Sequence, residues 1–315
     1  MEGGQVITNN FHTTMNWRTT ITLSAAVLVA AFIVPIGADA LTLQPTFQEI
    51  TLTPGKTTTT AVELENETQE SIELTSEVAT FSAKDETGEP EFNFDAPETG
   101  IVAWTTAESG PFTLEAGATE TVIVTFETPL DAEPGGHYVA VFFNQLLEAE
   151  EPGQVNIESK LGTLFLATVT GTYAEKGSIA EFKTAGTATS YSEGPVDFTF
   201  RYQNTGDVHL KPTGTITVKN MLGGTVATIP VNREGGATLP GSIREYDVAS
   251  WADLGNGFGK YTVTIDLSAG TVSNSMTLSF WVFTTVGTVI AAAIALVIIV
   301  LIIVLLRATT KKKPD

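Results

Sequence analysis

Cysteine is absent from the 315 residues. Its absence removes thiol nucleophiles, thiolate metal sites and disulfide staples together. An exported fold without disulfides must rest on core burial, which domains above about 100 residues can supply. Positive charge is scarce: 16 Lys and Arg stand against 36 Asp and Glu, for a formal net charge of −20. Phosphate binding needs a basic footprint, so nucleic acid is excluded as a partner. There are only three histidines. His12 lies in or before an N-terminal leader, while His137 and His209 each stand beside a glycine-containing turn. A Ser-His-Asp device needs a serine on a shaped turn, and no such motif occurs. The sequence therefore nominates no catalytic residue, no metal site and no cofactor, and points away from an enzyme.

The chain does hold two long apolar stretches. Residues 286–306 carry no charge over 21 positions. At about 1.5 Å per residue they span roughly the 30 Å hydrocarbon core of a bilayer. Arg307 and Lys311, Lys312 and Lys313 follow, and Phe280, Trp281 and Phe283 precede. The positive-inside rule puts the basic tail in the cytoplasm and the aromatic residues at the outer interface. Residues 1–40, with a start at Met15 as the alternative, read as a signal peptide: Arg18, an apolar run from Ile21 to Ile36, then Ala38-Asp39-Ala40 as a cleavage site. An uncleaved anchor is the competing reading. The expected order is signal peptide 1–40, acidic domain 41–175, second domain 176–281, transmembrane helix 282–306 and basic tail 307–315. This makes a cell-membrane protein with one span and both domains outside.

Charge divides the two domains. Residues 41–175 carry 24 acids and three bases, whereas residues 176–281 carry nine and eight. Both share short Thr-, Val-, Ile- and Phe-rich runs with period-two alternation, punctuated by Gly, Pro and Asn. That pattern is the mark of antiparallel sandwiches, so the fold class is all-β with two immunoglobulin-like units. The run Tyr138-Val139-Ala140-Val141-Phe142-Phe143 predicts a central buried strand. Residues 84–100 read as a long loop and residues 250–254 as one helical turn.

Several phrases stand together: Leu52-Thr53-Pro54-Gly55-Lys56, Glu65-Asn66, Phe112-Thr113-Leu114-Glu115-Ala116-Gly117 and Gly135-Gly136-His137-Tyr138. The second half adds Tyr202-Gln203-Asn204-Thr205-Gly206-Asp207-Val208-His209 and Leu239-Pro240-Gly241-Ser242. In these and in its architecture the chain resembles the WxL-interacting cell-surface proteins, and more broadly PapD-like or NEW3-like immunoglobulin domains. The resemblance implies a first domain that binds peptidoglycan and a second that binds an exported surface protein. It carries over no individual contact residue.

Other candidates have plainer readings beside them. Asp85, Glu86, Glu89, Glu91 and Asp95 offer oxygen ligands for calcium, but without EF-hand spacing a solvated acidic loop is expected. Trp104 and Trp251 are sugar-stacking platforms or core residues. Asn66-Glu67-Thr68 fits a glycosylation sequon. The functional expectation is a membrane-anchored binding or scaffold protein that holds a wall component or exported protein at the surface. The alternatives are a chaperone-like subunit that accepts a partner strand and an envelope glycosidase with paired carboxylates.

Overall fold

The computed structural model describes residues 40–310, except 96, 98, 108–109, 147–159 and 187. The expected leader and the lysines of the tail fall outside the described residues. In chain order the strands are β1 (Leu41–Gln44), β2 (Phe47–Leu52), β3 (Thr57–Asn66), β4 (Ile72–Ala83) and β5 (Pro90–Asn93). A helical turn α1 (Ile101–Trp104) leads to β6 (Thr105–Thr106), β7 (Phe112–Leu114), β8 (Thr119–Glu127), β9 (Gly135–Leu146) and β10 (Lys160–Val169). Then come β11 (Gly177–Thr184), β12 (Ser190–Tyr191), β13 (Val196–Asn204), β14 (Thr213–Lys219), β15 (Thr225–Val231) and β16 (Ile243–Trp251). The hairpin β17 (Phe258–Ala269) and β18 (Val272–Phe283) precedes the helix α2 (Thr285–Thr310).

These strands make two sandwiches. In the first, a sheet ordered β1-β3-β8-β6 faces one ordered β2-β10-β9-β4-β5, with β7 also on β4. In the second, β11-β13-β16 faces β12-β18-β17-β14-β15. Pairing is antiparallel except for β2 on β10 and β12 on β18, which are parallel. Proline lacks the N–H that a ladder needs. Pro45 therefore divides the first run, so that β1 joins β3 and β2 crosses to β10.

Alternation places the cores. Val122, Val124 and Phe126 of β8 point inward with Val62 and Leu64 of β3. Val196, Phe198, Phe200 and Tyr202 of β13 do the same in the second sandwich, against Ile216, Val263 and Ile265. Strand β9 is buried on both faces, as its unbroken apolar run requires. Val139, Val141 and Phe143 enter the first core, while Ala140 and Phe142 join a separate cluster on the outer face. Residues 84–100 are not a plain loop, because Pro90–Asn93 pairs with β4. Residues 250 and 251 extend β16 instead of forming a helical turn, since Trp251 pairs with Val196 and is buried among Tyr261 and Phe280.

Each sandwich carries the same polar clamp. Asn66 closes β3 and Asn204 closes β13, and both are fully buried. Asn66 Nδ2 donates to the carbonyls of Glu70, Leu114 and Glu115, while its Oδ1 accepts from Thr68 N–H. Asn204 Nδ2 donates to the carbonyls of Val208 and Thr238, and its Oδ1 accepts from Gly206 N–H. The two backbones match as well: Gly117 N–H donates to Asn66 O at 2.8 Å and Gly241 N–H to Asn204 O at 3.0 Å. Both glycines have φ near +70°, where a side chain would be strained.

Helix α2 is long and apolar enough to cross a membrane. It starts without a linker. Residues 282 and 283 complete β18, and Thr284 caps the helix. Thr284 Oγ1 donates to Gly257 O at 3.0 Å and accepts from Gly287 N–H at 3.2 Å, the geometry of an N-cap. Phe280 is buried in the second core, because period two sends it inward while Trp281 and Phe283 face out. It does not belong to the aromatic belt expected of it.

Candidate binding surface

The phrases around Gly135 and Asn204 meet where the sandwiches join. Gly136 N–H donates to Asp207 O at 2.7 Å, and a Cβ at Gly135 would sit 2.8 Å from that same oxygen. The Asp207 carboxylate accepts from Ala174 N–H at 2.8 Å. Glu49 of β2 pairs with the Lys211 ammonium and lies 3.4 Å from His209 Nε2. The tip of the β4–β5 hairpin docks on the second sandwich too. Glu86 O accepts from Glu245 N–H at 2.7 Å, and the Glu86 carboxylate takes Arg201 in a two-pronged pair. That guanidinium holds the Glu86 carboxyl below its usual range.

His209 is a largely covered titratable group at this junction, its side chain 10% exposed, with a cationic form within reach of neutral pH. Burial lowers its pKa from 6.5, against the raising effect of Glu49 and with the lowering effect of Lys211. Tyr138 faces its ring edge-on at 5.9 Å. As pH falls through the ordinary histidine value, the unfolded chain takes up a proton that the folded chain refuses. Stability is thus full above that value and declines as the solution is acidified. Denaturant titrations from about pH 7 to about pH 5.5 are expected to show this loss, and His209→Gln is expected to flatten it. An unchanged slope in His209→Gln would assign the effect elsewhere.

Above this junction lies the outer face of β10-β9-β4-β5. Phe81, Ala140, Phe142 and Leu166 are buried there, with Leu164, Phe92 and Tyr138 beside them. Ala237 and Leu239 of the second sandwich cover part of the face. Beneath that cover is a mainly apolar cavity of about 240 Å³, lined by Phe47, Phe81, Leu164, Leu239 and Arg244 among others. Beyond the cover the face opens. The Phe92 ring meets Phe142 edge-on at 4.9 Å, and Phe94 lies 5.2 Å from Phe142 with 42% of its surface exposed. Lys160 Nζ stands 4.6 Å above the Phe94 ring and pairs with Glu77 at 3.0 Å. Strand β2 pairs with β10 only from Leu164 onward. Among the described residues, no strand occupies that edge of β10 at residues 160–163.

The residues singled out from sequence scatter. Asp85 accepts from Thr87, Glu86 pairs across the junction, and Glu89 pairs with Lys84. Among the described residues no group of three or more His, Asp or Glu is gathered in the manner of a metal site. Trp251 is core, and Trp104 packs on the first core with its ring 5.1 Å from His137. Neither is an open sugar platform, which removes the stacking residue from the glycosidase reading. Asn66 cannot serve as a glycan acceptor, because its amide nitrogen is buried and bonded to carbonyls. Sequence reasoning missed Phe92 and Phe94. The signal was their spacing in Phe92-Asn93-Phe94, masked by the acids around them.

The chain is thus an all-β protein of two immunoglobulin-like sandwiches and one apolar helix. No family model matches it, the WxL-interacting family included, and no curated protein matches it. Among solved structures it is similar to the class 5 fimbrial chaperone CfaA at 10% identity, over 76% of this chain and 99% of that one, with a TM-score of 0.39. It is also similar to the E. coli chaperone DraB at 11% identity, over 77% and 97%, with a TM-score of 0.37. The PapD-like domain 7 of human CEP192 matches at 16% identity, over 42% and 86%, with a TM-score of 0.30.

Proposed function

We propose that this chain is a non-catalytic binding protein, held in the cell membrane by α2, that retains another exported protein at the outer surface. The observation that carries this reading is the half-open apolar face, where exposed Phe94 and half-buried Phe92 lie over Phe142, beside an edge of β10 that among the described residues has no partner strand at residues 160–163. Contiguous apolar surface of this kind marks protein contact. An extended segment of the partner would add to the edge at residues 160–163 and lay alternate side chains toward the aromatic rings. Orientation follows from Arg307 and the lysines after it, which favour the cytoplasmic side. The face is aromatic and the first sandwich acidic, so a protein segment suits it better than an anionic wall polymer.

Photo-crosslinking from position 160 of the full-length chain, the exposed residue that stands over the Phe94 ring, is expected in intact envelopes to capture an exported protein. Phe94→Asp is expected to reduce that capture at least about tenfold, the cost of burying a charge in an apolar contact, while the fold is retained. No adduct, or equal capture by Phe94→Asp, would defeat the proposal. The same edge supports a second reading, a chaperone-like subunit that accepts a partner strand during assembly. Adducts confined to unassembled partners would select it over stable retention.

A further inference from the structure

Three separate segments bring exposed apolar side chains to the end of the second sandwich from which α2 departs. The first is β18, whose outer face presents Trp281 and Phe283 with their rings stacked at 5.6 Å. The second is the start of β17, where Phe258 is the register partner of Phe283 and its ring lies 5.6 Å away. The third is the turn between β14 and β15. There Asn220 Oδ1 accepts from the N–H groups of Leu222 and Gly224, both at 3.0 Å, and Gly223 N–H donates to Asn220 O at 2.9 Å. This bonded turn holds Met221 and Leu222 outward, 59% and 88% exposed. Met221 reaches β17, since a Cβ at Gly259 would lie 2.5 Å from its sulfur.

A turn held by its own hydrogen bonds has no local need for Met and Leu at its tip, and in water those side chains are a liability. Two cations flank them. Lys219 and Lys260 line a shallow hollow with Asn220 and Met221. Asp253, in the loop before β17, is turned onto Gly255 N–H at 2.7 Å. Apolar tips ringed by lysine are what an anionic bilayer interface accepts. The surface is also continuous with the membrane helix, because Phe283 precedes Thr285 by two residues.

We propose that this end of the second sandwich is a lipid-binding surface. Met221 and Leu222 enter the boundary between headgroups and acyl chains beside Phe258, Trp281 and Phe283, and Lys219 and Lys260 meet lipid phosphates. The proposal rests on the reading of α2 as a membrane span. It also sets an orientation. Trp281 lies four residues before the helix, up to about 13 Å along an extended strand. The headgroup layer is only about 5–8 Å deep. Contact therefore requires β18 to run obliquely to the bilayer normal, so the sandwich reclines on the lipid and does not stand clear of it.

The absence of native cysteine allows a direct test. The full-length chain is reconstituted in vesicles of phosphatidylcholine and phosphatidylglycerol, with an environment-sensitive fluorophore on single cysteines introduced as Leu222→Cys, Ser273→Cys or Ile294→Cys. Ser273 is exposed near the opposite end of the β17–β18 hairpin, and Ile294 lies within α2. The expected result is quenching at 222 by lipids with a shallow nitroxide, quenching at 294 by lipids with a deep one, and quenching at 273 by neither. Aqueous iodide should reach 273 several-fold better than 222. Combined Lys219→Glu and Lys260→Glu should raise iodide access at 222 in these vesicles and leave 294 unchanged. Lipid quenching at 294 with 222 as open to iodide as 273 overturns the lipid-binding surface and leaves the anchor standing. Loss of lipid quenching at 294 as well sinks both readings.

Discussion

Asn204→Ala is expected to cost about 3 kcal/mol of folding free energy, and Asn204→Asp more than that. The alanine leaves two backbone groups without a partner, the carbonyl of Val208 and the N–H of Gly206, and leaves Thr238 O with only the Leu210 N–H. Each buried polar group left unsatisfied costs about 1–3 kcal/mol. A strand end, a four-residue turn and the loop before β16 lose their common tie. The aspartate tests the mechanism. It has the shape of asparagine, but it presents an acceptor to two carbonyl oxygens and buries a charge whose bonded neighbours, Val208, Thr238 and Gly206, include no cation. Shape alone would make Asp the milder change, whereas donation predicts the reverse order. The same ranking is expected at Asn66, whose amide serves three carbonyls. Against a typical stability of about 5–15 kcal/mol, such a loss is large. Urea titration and thermal melting by circular dichroism measure it. An Asp variant as stable as wild type would refute the clamp.

The clamp shows what could be read from residues alone and what could not. Strand identity came through because period-two alternation is local: Val196, Phe198, Phe200 and Tyr202 need no knowledge of their partners to be placed inward. The central, buried place of β9 was legible from an equally local signal, its unbroken apolar run. The function of Asn66 and Asn204 was not. A strand ending in asparagine looks like a turn signal, and only the fold shows that Leu114 and Thr238 bring their carbonyls to it. Gly135-Gly136 and Asn204-Thr205-Gly206-Asp207 were conspicuous as phrases, yet their meaning lies in a meeting of the two sandwiches across some 70 positions of chain. The aromatic face was hidden for a different reason. Phe92 and Phe94 sit among Glu89, Pro90, Glu91 and Asp95, so composition suggested a solvated loop. Pairing with β4 turns Phe92 onto the sheet. Phe280 reverses this case: a place beside the membrane run suggested lipid, and strand parity sent it to the core.

Gly287→Ala is expected to loosen the joint between the second sandwich and α2, although alanine is by propensity the better helix residue by about 1 kcal/mol. Gly287 lies in the first turn of the helix. A Cβ there would stand 2.5 Å from the carbonyl oxygens of both Asn256 and Gly257. These are backbone atoms, and Gly257 O already accepts from Thr284 N–H and Thr284 Oγ1 at 3.0 Å. The loop cannot yield without releasing those bonds, and the helix cannot yield without drawing Gly287 N–H from the Thr284 cap. One methyl group therefore opposes three hydrogen bonds, and the loss of the cap alone is worth about 0.5–2 kcal/mol. The consequence is mechanical. With no linker between Phe283 and Thr285, the joint fixes how the second sandwich, and through the Glu86–Arg201 and Gly136–Asp207 contacts the aromatic face, is set relative to α2. Amide exchange at residues 284–288 of the full-length chain in vesicles is the measurement. Faster exchange in Gly287→Ala, with β13 and β17 unchanged, is the expected outcome. Equal or slower exchange would mean that the helix is joined to the sandwich only by covalent continuity.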